Sequence, residues 1–235
     1  MYKLVAADTD AIKICREDGL SMTEDEMDDL LNRMNAATPK LINLEKDGYY
    51  KRFLVLKSKN YVTDDGKKIK YRGSSILDQK KEPALKEFLF KIINGIMDEL
   101  NFNQLQNIYK TYLNESQNIT DINRWAVKKT ITKAVLEGDR KNETKVKDAL
   151  EGQILQEGDK VWLYNAIDGE IQAIVKREPK FYKKTGLPKM IPNKVLKTLD
   201  KWSQDENKEH YAMRIVDTLD ILANVLDVKK IKDLT

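Results

Sequence analysis

Two acidic residues separated by one position, Asp8 and Asp10 in Ala7-Asp8-Thr9-Asp10-Ala11, are the residues of this sequence best suited to chemistry. Close carboxylates repel each other, and a divalent cation relieves that repulsion, so such a pair on a tight turn offers the oxygen donors that Mg²⁺ prefers. Plain acidic turns have the same composition, and the context of the pair must decide between the two readings. Other chemistries have little to work with. Cys15 is the sole cysteine and His210 the sole histidine. An internal disulfide and a cysteine-rich zinc site are therefore excluded, and a Cys/His pair or Ser/His/Asp triad has poor material.

A second feature is the distribution of charge. Acids outnumber bases from Met1 to Asn35, with Glu24, Asp25, Glu26, Asp28 and Asp29 close together. From Lys51 to Lys91 the balance reverses: Lys51, Arg52, Lys57, Lys59, Lys67, Lys68, Lys70 and Arg72 are interleaved with Tyr49, Tyr50, Tyr61 and Tyr71. Bases and aromatics on strand-like segments form a footprint suited to a phosphate backbone, although a solvated lysine-rich face has the same composition.

The elements that must position these groups follow from periodicity. Lys3 to Ala7 and Ala11 to Cys15 are β-prone, which puts Asp8-Thr9-Asp10 at the tip of a hairpin. Ser21 to Glu24 supplies N-cap chemistry for a helix carrying Met27, Leu30, Leu31 and Met34, ended by Pro39. Tyr50 to Leu56 is strand-like, Lys59 to Val62 continues it, and Asp64-Asp65-Gly66 turns the chain back through Ile69, Tyr71 and Arg72 to Gly73. From Glu82-Pro83 the pattern turns helical, with Leu85, Phe88, Leu89, Ile92, Ile93, Ile96, Met97 and Leu100, then Leu105 to Tyr112. A strand is expected after Gly158, a loop about Pro188 and Pro192, and helices over Lys194 to Trp202 and Glu209 to Leu226. Trp125, Trp162 and Trp202 read as packing anchors, Cys15 as a buried small residue, and His210 as a packing or surface residue.

The strand, Asp8-Thr9-Asp10 turn and second strand resemble a signature motif of family B DNA polymerases, with Ala7 and Ala11 where that family usually has glycine and serine. Lys57-Ser58-Lys59-Asn60-Tyr61, followed by Lys70-Tyr71-Arg72-Gly73, resembles the K-x-Y element of the same family, with Lys59 and Tyr61 at its defining positions. Lys80 to Leu85, Trp125 to Ala134, Thr144 to Leu150 with Gly158 to Val161, and His210 to Leu222 resemble successive thumb segments of phage-type members, so the likeness is colinear over nearly the whole chain.

The resemblance implies an α+β fold: residues 1–77 as the C-terminal part of a palm, with antiparallel hairpins and a helix, and residues 78–235 as a mainly helical thumb. It implies that Asp10 is a metal ligand and Asp8 a weaker contributor to a two-Mg²⁺ site. Lys57, Lys59, Tyr61, Arg72 and Gly73 would contact the primer, and Lys129 and Lys133 the duplex. It also implies primer-template DNA and deoxynucleoside triphosphates as partners. The family's other catalytic aspartate and its nucleotide-selecting helix have no counterpart here. A larger polymerase chain, carrying the remaining palm, the fingers and an exonuclease, is expected to complete the enzyme, with this chain as the small subunit or fragment of a split polymerase that is inactive alone. The alternative is a non-catalytic DNA-binding or processivity module derived from a polymerase thumb.

The 235 residues, 41% hydrophobic and 34% charged with a net charge of +4, suffice for one large domain or two small ones. Apolar runs fall short of the ~18 residues of a membrane span, and the N-terminus lacks a signal-peptide pattern. A cytoplasmic protein is expected, in the host cytoplasm if phage-encoded.

Overall fold

The computed structural model describes residues 1–8, 10–138, 140–167 and 194–233. The chain is α+β and divides into two compact units, Met1–Leu77 and Asp78–Thr235.

The first unit opens with the expected hairpin. Strands β1 (Tyr2–Ala7) and β2 (Ile12–Arg16) pair antiparallel, from Tyr2 opposite Arg16 to Ala7 opposite Ile12, with an irregularity at Val5. Helix α1 (Glu24–Ala37) begins with a capping box: the Glu26 N–H donates to Thr23 Oγ1 and the Thr23 N–H to Glu26 Oε2. Glu24, Asp25 and Glu26 in its first turn suit the positive end of the helix dipole.

Strands β3 (Arg52–Lys57), β4 (Asn60–Asp64) and β5 (Ile69–Arg72) form an antiparallel meander, followed by the single turn α2 (Ser74–Leu77). The expectation that Lys59 to Val62 continues the preceding strand is corrected. The chain reverses at Ser58-Lys59, and Lys59 takes the left-handed conformation at φ 58°, uncommon for lysine. Strand propensity does not report such a reversal, because neither residue is a usual turn former.

The apolar interior of this unit is thin. Among its described residues the fully buried apolar side chains are Leu56, Val62 and Ile76, and α1 buries none of its own. Cys15 is half-buried rather than interior.

The second unit has a larger core. In α3 (Pro83–Met97), Pro83 occupies the first turn, where its missing N–H costs nothing, and Leu85, Phe88, Leu89, Ile92 and Ile93 form a fully buried stripe. This helix packs with α4 (Phe102–Gln117) and α7 (Lys208–Asp220). Phe88 lies 5.3 Å from Tyr112 and 6.4 Å from Tyr109, and Trp125 meets Tyr211 edge-on at 5.2 Å. Arg214 of α7 grips Glu82 with two hydrogen bonds, Nη2 to Oε2 at 2.8 Å and Nε to Oε1 at 3.2 Å, so the buried carboxylate is compensated. Helix α8 (Val228–Lys232) follows.

A three-stranded antiparallel sheet, β6 (Val127–Thr130), β7 (Lys160–Ile167) and β8 (Lys194–Thr198), completes the second unit. One face lies on α5 (Lys133–Glu137) and α6 (Lys141–Ala149), burying Ile131, Val135, Val146, Leu150, Val161 and Leu163. The expected helix over Lys194 to Trp202 is corrected to β8 plus a 3₁₀ turn, Leu199–Lys201. The free edge of β7 offers hydrogen-bond partners that a short isolated helix lacks, and Leu196 packs against the core cluster. The helix expected over Glu209 to Leu226 ends at Asp220. The loop expected about Pro188 and Pro192 lies outside the described residues. Among the described residues no helix is long and apolar enough to cross a membrane.

Candidate functional site

The hairpin tip is closed by the Asp8 N–H, which donates to the Ala11 carbonyl at 2.8 Å. Asp8 flanks the turn and Asp10 lies within it, both exposed. The turn of the K-x-Y element meets this tip: Lys59 Nζ is 3.6 Å from Asp8 Oδ1, with the two side chains 71% and 46% exposed. At such exposure the pair contributes about 1 kcal/mol or less to stability. Its value is positional, since residues far apart in the chain share one patch.

Two further observations fix the Lys59 turn. Asn60, buried at the centre of K-x-Y, donates from Nδ2 to the Ser58 carbonyl at 2.8 Å and accepts the Ser75 N–H on Oδ1 at 2.9 Å, joining the turn to the start of α2. Gly73, at φ +103°, passes so close that a Cβ there would lie 2.3 Å from the Lys59 carbonyl and 2.4 Å from Asn60 Oδ1. Asn60, whose role is not legible from its type, and Gly73, expected at the primer, both support the Lys59 turn from behind.

On the meander, Tyr61 stands opposite Arg72, and its ring stacks on Phe53 with centroids 5.1 Å apart. Tyr50 lies 6.0 Å from Phe53 and carries Lys13 over its ring at 5.8 Å. Lys57 at the end of β3 and Arg72 at the end of β5 are exposed. Lys57, Lys59, Tyr61 and Arg72 thus cluster near one end of the meander, where Gly73 leads out of it.

Lys129 and Lys133 belong to the second unit. Lys133 is exposed on α5 and pairs with Glu137 at 3.6 Å. Lys129 stands opposite Val161, which belongs to the buried cluster, and is half-buried. The strand pleat instead sends its neighbour Lys128 to solvent.

The cross-strand pair Arg52–Asp64, 2.7 Å from Nη2 to Oδ2, sits at the other end of the meander. The Gly66 N–H and the Arg52 guanidinium together hold the Asp64 carboxyl below its ordinary value of 3.8. A carboxylate depressed on folding stabilises the fold above its unfolded pKa, and that contribution disappears as pH falls through the folded value. Urea denaturation should therefore show stability declining below about pH 4, with Asp64→Asn starting lower and declining less over that window. An unchanged acid limb in the variant would contradict this.

The residues present fit part of a Mg²⁺ site. Asp8 and Asp10 are the hard oxygen donors such an ion prefers, and Asp10 forms no ion pair with any described residue. Among the described residues no cluster of three or more potential ligands is assembled. Two carboxylates can anchor a shared centre, with the other ligands coming from elsewhere.

No protein-family model and no curated protein sequence matches the chain. Among solved structures, the family B DNA polymerase from the hyperthermophilic archaeon Pyrobaculum calidifontis matches over 96% of this chain, with a TM-score of 0.61 and 13% identity. The fold is polymerase-like. At that identity the likeness concerns fold alone, and the chain spans 27% of the length of the archaeal polymerase. Both units are embraced by the match, which agrees with an α+β arrangement of small antiparallel sheets followed by a mainly helical part.

Proposed function

We propose that this chain is the C-terminal palm and thumb portion of a split, phage-type family B DNA polymerase, supplying part of a metal site shared with a larger chain. The observation that carries the reading is the approach of Lys59 to Asp8, which brings the Asp-Thr-Asp tip and the K-x-Y turn together within a polymerase-like fold.

In this reading Asp10, with Asp8 beside it, would hold two Mg²⁺ ions together with an aspartate of the larger chain. Bound Mg²⁺ supplies charge neutralisation at the α-phosphate attacked by the primer 3′-hydroxyl. The residues of this chain position the strand. Lys59 and Lys57 meet primer phosphates, Arg72 adds a third cation, and Tyr61, braced by Phe53, sets the primer end against the tip. Lys59, whose ammonium faces Asp8, is placed to take a primer phosphate oxygen, and Asp8 would be a further oxygen donor for the bound ion. The incoming deoxynucleoside triphosphate is selected by the larger chain.

The need for a larger chain is supported by the first unit itself. Its interior is small, α1 buries no side chain, and β1 and β2 pair only with each other among the described residues. Leu4 is 62% exposed and Ile12 41%, with Met1, Leu20 and Leu41 also open. Open strand edges beside exposed apolar residues form a surface that a partner strand can cover. Leu4→Asp with Ile12→Asp should leave the fold intact, because neither side chain belongs to the buried interior, and weaken association with the larger chain about tenfold or more. Unchanged association would sink the interface.

The decisive experiment is primer extension. This chain alone should add no nucleotides, whereas the mixture with its larger chain should show template-directed, Mg²⁺-dependent synthesis. A mixture that associates but makes no DNA would refute the catalytic reading.

A further inference from the structure

The solvent face of the sheet in the second unit carries a cluster that the polymerase reading does not use. Trp162 is 44% exposed, contrary to the expectation of a packing anchor, whereas Trp125 is buried and Trp202 donates its indole N–H to Glu206. Lys128, directly opposite on β6, holds its ammonium 5.2 Å from the Trp162 ring centroid. Lys160, two residues earlier on β7, projects to the same face and is exposed. Neither lysine forms an ion pair with a described residue. An exposed indole flanked by two uncompensated cations is an unusual expenditure of surface for a packing role.

Beside the indole, beyond the point where β8 ends, lies a cleft of about 270 Å³ lined by Gln153, Val161, Trp162, Thr198, Leu199 and Asp200. It is smaller than the roughly 300–1,000 Å³ of pockets that take whole drug-sized ligands. Its chemistry is that of a base edge. The exposed Asp200 carboxylate in its lining can accept from an exocyclic amino group.

We propose that this face binds single-stranded nucleic acid, with one base stacked on Trp162 and its edge in the adjoining cleft, and with Lys128 and Lys160 on the flanking phosphates. A single strand is favoured over a duplex because stacking on an indole needs a free base face, which paired and stacked bases do not present. Charge complementarity favours a polyanion, and the Lys128 ammonium, which lies over the indole, is within reach of the phosphate of a nucleotide brought to the ring. The site uses none of Asp8, Asp10 and Lys59, so it stands independently of the polymerase reading.

The test is binding of a mixed-sequence single-stranded oligonucleotide to the full chain, followed by anisotropy and by quenching of tryptophan emission. Quenching is expected in the native chain and in Asp10→Ala. Trp162→Ala should weaken binding about tenfold and abolish the quench, while Trp162→Phe retains much of the affinity. Lys128→Ala and Lys160→Ala should each lower the salt dependence of log K by about 0.7. Circular dichroism checks that each variant is folded, and the lysine variants keep the test decisive if Trp162→Ala is not. Affinity, quench and salt slope unmoved by these substitutions, or equal quenching by a duplex of the same sequence, would overturn the site.

Discussion

On the proposed function, Asp10→Ala in the assembled polymerase should lower nucleotide addition by about 10²-fold or more while leaving association with the larger chain and with primer-template intact. The expectation rests on position: Asp10 lies in the tip of the hairpin, exposed, and supports no packing that its loss would disturb. The missing carboxylate removes an anchor for positive charge at the reacting phosphate, a contribution made in the transition state, so the rate constant should fall more than the affinity. Asp8→Ala should cost less, because Asp8 flanks the turn and already faces the Lys59 ammonium. Single-turnover primer extension at saturating primer-template separates the two effects. An Asp10→Ala complex that adds nucleotides at the native rate would exclude the carboxylate from the reaction.

Gly73→Ala should destabilise the first unit by about 3 kcal/mol or more. Two costs add. At φ +103° a side chain is strained by about 1–3 kcal/mol. The new Cβ would also lie 2.3 Å from the Lys59 backbone carbonyl, which moves only if the turn moves. That turn is tied through Asn60 to Ser58 and Ser75, so relief breaks buried hydrogen bonds as well. Against total stabilities of roughly 5–15 kcal/mol for folded domains, and with few buried apolar groups in this unit, the loss is severe. Urea denaturation followed by circular dichroism should show the midpoint of this unit sharply lowered, and primer extension in the assembly should fall with it because Lys59 is no longer held. A variant with native midpoint would mean that the close approach is relieved without cost.

The sequence revealed the hairpin tip, the capped helix α1, the meander's second turn and the start of α3 because each is written in local chemistry. The apolar run Leu4 to Ala7 and the alternating Ile12 and Ile14 flank Asp8 to Asp10, Thr23 and Glu26 satisfy each other's backbone, Gly66 takes φ +86°, and Pro83 opens its helix. The reversal at Ser58-Lys59 was illegible because its cause lies elsewhere, in Asn60 and in the passing Gly73 backbone. Strand β8 is hidden from local pattern for a similar reason: its conformation is imposed by the free edge of β7. For the site, residue types at Lys57, Lys59, Tyr61 and Arg72 were readable, but the contact of Lys59 with Asp8 is tertiary. The choice between Lys128 and Lys129 is one of pleat, and a one-residue difference in phase exchanges an exposed position for a half-buried one.

The most direct measurement is a cross-link from a primer whose 3′-terminal nucleotide carries a photoreactive group, in the assembled complex with template and Mg²⁺. Labelled residues should fall at the hairpin tip around Asp8 and Asp10 and at the Ser58–Asn60 turn. Cross-links confined to other surfaces, with the tip still open to solvent in that complex, would contradict a shared metal site.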